Sequence, residues 1–266
     1  MSSTTTSTEA TIDLHVDRFG NPDDLPVVML HGWGSSAELM AAAGAPLAET
    51  HSIHNIDLPG HGRTPAPPEA WGVPEYAAAV ANYIHGAGIT GAMLIGHSNG
   101  GRIGLYLASQ PETSHLFSRM VLVSPSGVKP DRPLSVRFKS AYISAIKAPF
   151  QLIPDGPTRR RGLDWLRTTI YWQLAASTDY RNADGVMRET FVRTVNHHLD
   201  DQLSHIRVPV LLVWGSDDTA VSERQMATLE REIPDAGLVV LENAGHYGYL
   251  DRPDVYAAAL THFVTA

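Results

Sequence analysis

Short apolar runs alternate with helix-length segments along most of this chain, and that alternation constrains its fold more than any other feature. Val27 to Leu30, Ser52 to Ile56, Met93 to Ile95, Met120 to Ser124, Val210 to Trp214 and Leu238 to Leu241 are short and largely aliphatic or β-branched. Between them lie stretches long enough for helices: Ser36 to Ala48, Pro74 to Gly86, Gly100 to Ser109, Ser222 to Ile233 and Pro253 to Val264. This pattern predicts an α/β fold, with a mostly parallel central sheet flanked by helices on both faces. The alternating stretch Thr11 to Phe19 predicts a half-exposed antiparallel strand at the start. Two helices carry start signals: Ser222 with Gln225 three residues on fits a capping box, and Pro253 suits a first helical turn.

The alternation breaks between Ser126 and Arg207. That region is rich in Arg, aromatics and Pro, has no buried strand pattern, and contains the helical stretches Leu163 to Ala176 and Ala183 to Val195. The expected organisation is therefore a core from residues 11–125 and 208–266, a mainly helical cap inserted over 126–207, and a Ser/Thr-rich lead-in over 1–10. A length of 266 residues suits one such core with an insertion. A net charge of −8 weighs against general nucleic-acid binding, yet Lys129 to Arg167 holds nine basic residues against three acidic ones. No cysteine is present, which excludes disulfides and thiolate chemistry. No run approaches the roughly 18 to 20 apolar residues of a spanning helix, and the opening residues lack a basic stretch followed by an apolar one. The expectation is a cytoplasmic protein that does not insert into membranes.

Ile95-Gly96-His97-Ser98-Asn99-Gly100-Gly101 follows a short strand and precedes a helix. A G-x-S-x-G pentapeptide in that setting is a nucleophile elbow, a turn so tight that side chains at Gly96 and Gly100 would clash. Ser98 then stands at a helix N-terminus, where free N–H groups favour developing negative charge. Acyl transfer also needs two preorganised N–H donors, each worth on the order of 3 kcal/mol in the barrier. The Asn99 amide, directly after the nucleophile, is one candidate. The Trp33 amide, in the glycine turn His31-Gly32-Trp33-Gly34 after an earlier strand, is the other.

Ser98 needs a base, and the base needs an orienting carboxylate. Asp217-Asp218 follows the strand ending at Trp214, and His246 lies in Asn243-Ala244-Gly245-His246 after the last strand. The order Ser, Asp, His is the one this architecture uses, and all three loops leave the same edge of the sheet. Asp218 is the expected acid, with Asp217 in reserve. His31 and His61 lie in glycine turns and are expected to bond to backbone, and His97 is expected to orient the elbow. His197 and His198 are adjacent, so they point apart on a helix, and no H-E-x-x-H spacing occurs. Neither a metal nor a cofactor is expected.

The blocks HGWG, DLPGHG, GHSNGG, WGSDD and AGHYGYLDRP resemble the signature blocks of the α/β-hydrolase superfamily, in its cap-bearing group of esterases, lactonases, carbon–carbon hydrolases and cofactor-free haloperoxidases. The resemblance implies the α/β-hydrolase fold and an acid three residues before a Val-Pro pair, here Asp218 before Val221-Ser222, which favours Asp218 over Asp217. Dehalogenases and epoxide hydrolases of this group carry aspartate at the elbow; the serine here disfavours both reactions. The expected function is a serine hydrolase of carboxylic esters acting on a small-molecule ester through an acyl-enzyme. Alternatives with the same triad are a carbon–carbon hydrolase, a lactonase, or a carrier-protein methyl ester or thioester hydrolase, since HGWG and the Arg-bearing cap also resemble carrier-protein methyl esterases. A non-catalytic small-molecule receptor on the same fold is the alternative outside enzymes. Trp165, Tyr171, Trp172 and Tyr247 are candidate linings of a substrate pocket.

Overall fold

The aliphatic runs are strands. In chain order they are β1 (Val16–Gly20), β2 (Leu25–Leu30), β3 (His51–Ile56), β4 (Ala92–His97), β5 (Phe117–Val123), β6 (Val210–Gly215) and β7 (Ala236–Leu241). They form one seven-stranded sheet in the order β1-β3-β2-β4-β5-β6-β7. β1 pairs antiparallel with β3 at the edge, and the other pairings are parallel. The computed structural model describes residues 12–130 and 183–265. The helical stretch expected over Leu163 to Ala176 lies outside the described residues.

Seven α-helices are seen among the described residues: α1 (Ala37–Gly44), α2 (Val73–Gly86), α3 (Asn99–Ser109), α4 (Gly185–Val195), α5 (Glu223–Glu232), α6 (Gly248–Asp251) and α7 (Pro253–Thr265). The side-chain period of two along each strand divides the core between the faces of the sheet. Val28, Leu30, Leu94, Leu122 and Leu212 pack on one face with Tyr76 and Val80 of α2, Ile103 and Leu107 of α3, and Met226 and Leu229 of α5. Val27, Met29, Ile95, Val121 and Val213 pack on the other with Met40 of α1 and Tyr256 and Leu260 of α7. Burial on both faces explains why β4 and β6 read as nearly continuous apolar runs.

Local chemistry accounts for two of the helix ends. The Ser222–Gln225 capping box forms, with Ser222 N–H donating to Gln225 Oε1 (3.1 Å) and Gln225 N–H to Ser222 Oγ (3.4 Å). α1 stops short of the expected Ala48: it ends at Gly44 and tightens into a 3₁₀ turn over Ala45–Leu47, because Pro46 has no N–H to continue the α-helical ladder. The first strand is also shorter than its alternating pattern, starting at Val16, while Ile12 and Leu14 ahead of it pack against the core.

The topology sets the position of a site. From β2 the chain moves outward to β3, then crosses back to β4 on the other side of β2. In an open parallel sheet the crevice at such a reversal, outside the carboxyl ends of the strands, is where ligands bind. Leu30 pairs with Gly96 there, so the turn after β2 and the turn after β4 open side by side.

Candidate active site

The elbow at the end of β4 holds Ser98 at φ 49° and ψ −109°, between strand and α3. A left-handed φ on a non-glycine residue costs about 1–3 kcal/mol and persists only when its surroundings over-determine it. Here the Ser98 N–H donates to Val123 O (3.1 Å), and Ser98 O accepts from Arg102 N–H (3.1 Å) and Ser126 N–H (3.0 Å). The glycines are sterically required: a Cβ at Gly96 would fall 2.8 Å from Gly101 Cα, and one at Gly100 would collide with the Leu30 carbonyl.

The HGWG turn lies beside the elbow and is organised by His31, which is fully buried. A backbone carbonyl can only accept, so His31 Nδ1–H donates to Gly32 O (2.7 Å); Nε2 is then the acceptor for Leu58 N–H (3.0 Å). Burial pushes the His31 pKa down to about 4, which keeps the ring neutral in this one tautomer. Ser35 N–H also bonds Gly32 O (3.3 Å). Because a trans peptide points its carbonyl and its N–H in opposite directions, holding Gly32 O aims the Trp33 N–H the other way. Among the described residues neither the Trp33 nor the Asn99 amide donates a hydrogen bond.

The loops after β6 and β7 bring Asp218 and His246 together. His246 Nδ1 lies 2.9 Å from Asp218 Oδ2, and the Asp218 side chain is wholly buried while that of His246 is 22% exposed. The other Asp218 oxygen accepts from Ala220 N–H (2.7 Å) and Val221 N–H (3.0 Å). Burial by itself would raise the Asp218 pKa, but the hydrogen bond and charge of His246 together with the Val221 amide outweigh it, and the net shift is downward. This bond to Asp218 is the only one the His246 ring makes among the described residues, so Nε2 is uncommitted and the ring does not yet bond Ser98 Oγ. Such contacts often close only with substrate in place. Asp217 is exposed, and its backbone N–H bonds Ala244 O (2.8 Å).

His97, beside the nucleophile, donates from Nε2 to the His246 carbonyl (3.0 Å). Tyr247 packs beside it, its ring centroid 4.7 Å from His97 and 5.6 Å from His246. Trp165, Tyr171 and Trp172 lie outside the described residues. The helix expected over Ala183 to Val195 forms as α4, and nothing in the sequence indicates which surface it covers: its Phe191 ring stands 5.1 Å from that of Trp33, with His61 4.8 Å from the same indole. α4 is clamped to the core: Trp71 N–H donates to Thr190 Oγ1 (3.1 Å), Arg193 to Ala70 O (2.7 Å), and Arg102 to Thr194 O. The spacing Met187, Thr190, Phe191, Thr194 is i, i+3, i+4, i+7 and would have marked this buried face.

Comparison with known proteins agrees with this architecture. Residues 27–259 match the alpha/beta hydrolase family, and the chain belongs to it. It is 27% identical to a pimeloyl-[acyl-carrier protein] methyl ester esterase of Aeromonas hydrophila, over 95% of this chain and 100% of that one. It is 32% identical to a non-heme chloroperoxidase of Streptomyces lividans, over 98% and 99% of the two chains. The enol-lactonase of Burkholderia xenovorans superposes with a TM-score of 0.70 at 20% identity, covering 97% of this chain and 99% of that one. The protein is a hydrolase, and the esterase reading of its sequence agrees with the enzymes it resembles. No helix among the described residues is long and apolar enough to cross a membrane.

Proposed function

We propose that this protein hydrolyses carboxylic esters through an acyl-enzyme on Ser98, with His246 as general base and Asp218 as the acid that orients it. The observation that carries the proposal is the 2.9 Å bond between His246 Nδ1 and a fully buried, backbone-anchored Asp218, which leaves Nε2 uncommitted. Nε2 takes the Ser98 proton as Oγ attacks the ester carbonyl carbon, and the tetrahedral oxyanion is received by the Trp33 and Asn99 amides. His246 returns the proton to the leaving alcohol. Water then repeats the sequence on the acyl-enzyme, releasing the acid and free Ser98. Proton, nucleophile and leaving group balance without a cofactor.

The substrate class is a small- or medium-chain ester. A methyl ester on an acyl carrier is the specific variant favoured by the similarity to the Aeromonas enzyme and by the basic stretch from Lys129 to Arg167. The test is a chain-length series of nitrophenyl esters together with a fluorophosphonate label. Turnover with stoichiometric labelling at Ser98 is expected. Absence of both, with the fold intact, would return the chain to the receptor alternative.

A further inference from the structure

We propose that His97 is a positioning residue for the general base, tying the His246 main chain to the strand that carries Ser98 so that base loop and elbow keep a fixed separation. The inference rests on the Ser98 and His246 assignment above. His97 is the last residue of β4, opposite Val123 of β5, and is 1% exposed. It is therefore fixed by the sheet. Its Nε2 lies 3.0 Å from the His246 carbonyl across 149 residues of sequence. A carbonyl can only accept, so Nε2 carries the hydrogen, and Nδ1 is left as a buried lone pair with no partner.

The ring has little freedom to do anything else. It packs 4.7 Å from the His246 ring, 4.7 Å from Tyr247 and 5.6 Å from Tyr249, centroid to centroid. On its other side a Cβ at position 32 would fall 2.9 Å from Nδ1, so the glycine of the oxyanion turn makes the space the ring occupies. His97 thus touches the elbow by covalent bond, the base loop by hydrogen bond and the HGWG turn by packing. Burial, reinforced by the neighbouring His246 imidazole, pushes its pKa down to about 3, so the ring is neutral at neutral pH. Other bonds near His246 hold its neighbours: Gly245 N–H bonds Asp251 (2.7 Å), and Ala244 O bonds Asp217 N–H (2.8 Å). Among the described residues, His97 alone hydrogen-bonds from the nucleophile strand to the base residue itself.

Misplacing a catalytic group by about 1 Å can cost on the order of 100-fold in rate. His97→Phe keeps a flat ring and removes the donor, and should lower kcat per titrated active site by about 10- to 100-fold while KM stays within roughly threefold. His97→Gln places an N–H donor near the Nε2 position and should recover most of the loss. Counting active sites by fluorophosphonate titration removes misfolded protein from the comparison, so a purely structural role would leave kcat per site unchanged. If His97→Phe yields no folded protein, the pair His97→Gln and His97→Met, equal in length and differing in the donor, carries the test: Gln should turn over at least about tenfold faster per site. Phe matching wild type per site, or Gln no better than Phe or Met, would overturn the inference while wild-type labelling and turnover still stood. Failure of wild type to label at Ser98 would instead overturn the functional reading beneath it.

Discussion

Two histidine–aspartate pairs stand at the carboxyl edge of the sheet, and they differ in the one respect that matters for proton transfer. His31 follows β2, His246 follows β7, and both sit in glycine-containing turns. His31 uses both ring nitrogens on backbone and is fully buried, with Nε2 4.0 Å from Asp57. Asp57 in turn accepts from the Ala37 (2.7 Å) and Arg63 (2.9 Å) amides. His246 uses one nitrogen on its aspartate at 2.9 Å and keeps the other free on a ring that is 22% exposed. Pairing a carboxylate with an imidazole therefore does not suffice for the proposed base role, which needs one nitrogen uncommitted and reachable. His31 instead locks a peptide, and through it aims the Trp33 amide.

The largest expected effect comes from the open pair. Ser98→Ala and His246→Ala should each lower ester kcat by about four orders of magnitude or more, and the double variant should be little worse than either single one. Steady-state turnover of a nitrophenyl ester measures this. Near-normal turnover in Ser98→Ala would remove the serine mechanism altogether.

Next in size is the contrast between the two acids. Asp218→Asn should lower kcat by roughly 10³- to 10⁴-fold, because an amide no longer holds His246 in the tautomer with Nδ1–H. Asp57→Asn should leave turnover within about tenfold and instead lower the melting temperature, since it weakens charge-assisted bonds to the buried Ala37 amide and to the Arg63 amide. Equal kinetic losses in the two variants would break the distinction drawn between the pairs.

A third test uses pH on the closed pair. The folded-state pKa of His31 is about 4, below the unfolded value near 6.5. Between these values the unfolded chain takes up a proton that the native ring refuses, so unfolding becomes easier as pH falls from about 6.5 toward 4, and the full stability is present above that window. The shift corresponds to about 3 kcal/mol. Urea midpoints should fall from pH 7 to pH 5, and His31→Gln, although less stable at pH 7, should show a shallower slope across that interval. His97, lowered to about 3, acts in the same direction, so a residual slope should persist in the variant. An unchanged slope would mean that His31 is not the group refusing the proton.

These contrasts mark what was legible in the sequence. Strands such as Val210–Gly215 were readable because burial on both faces demands an unbroken apolar run, and the elbow because Gly96 and Gly100 answer steric demands with a distinctive spacing. Which histidine keeps a free nitrogen was less readable, because it depends on partners distant in sequence: Leu58 for His31, Asp218 for His246, and the His246 carbonyl for His97. The docking of α4 on Trp33 left a helical period in the sequence but no sign of which surface it covers. Pocket candidates Trp165, Tyr171 and Trp172 fall outside the described residues; the Tyr247 ring stands 5.6 Å from that of His246.

The smallest expected effect is also the sharpest discriminator, because it compares two adjacent residues of one type. Asp217 and Asp218 leave β6 together, yet one turn separates their fates. The Asp218 N–H bonds back to Gly215 O (3.0 Å), and its wholly buried side chain meets His246 Nδ1 at 2.9 Å. The Asp217 N–H bonds Ala244 O (2.8 Å), and its side chain faces solvent with Ser216 Oγ 3.4 Å away. An exposed carboxylate is screened and exchanges its partners with water, so Asp217→Asn removes little from the field at His246. Turnover should change by less than about threefold, against the roughly 10³-fold or larger loss in Asp218→Asn. Backbone bonding at position 217 is untouched by the substitution, so the Ala244 anchor of the base loop survives and the comparison reports on the side chain alone. A ranking with Asp217→Asn the more damaging would move the triad acid one residue along the chain and leave Ser98 and His246 in their roles.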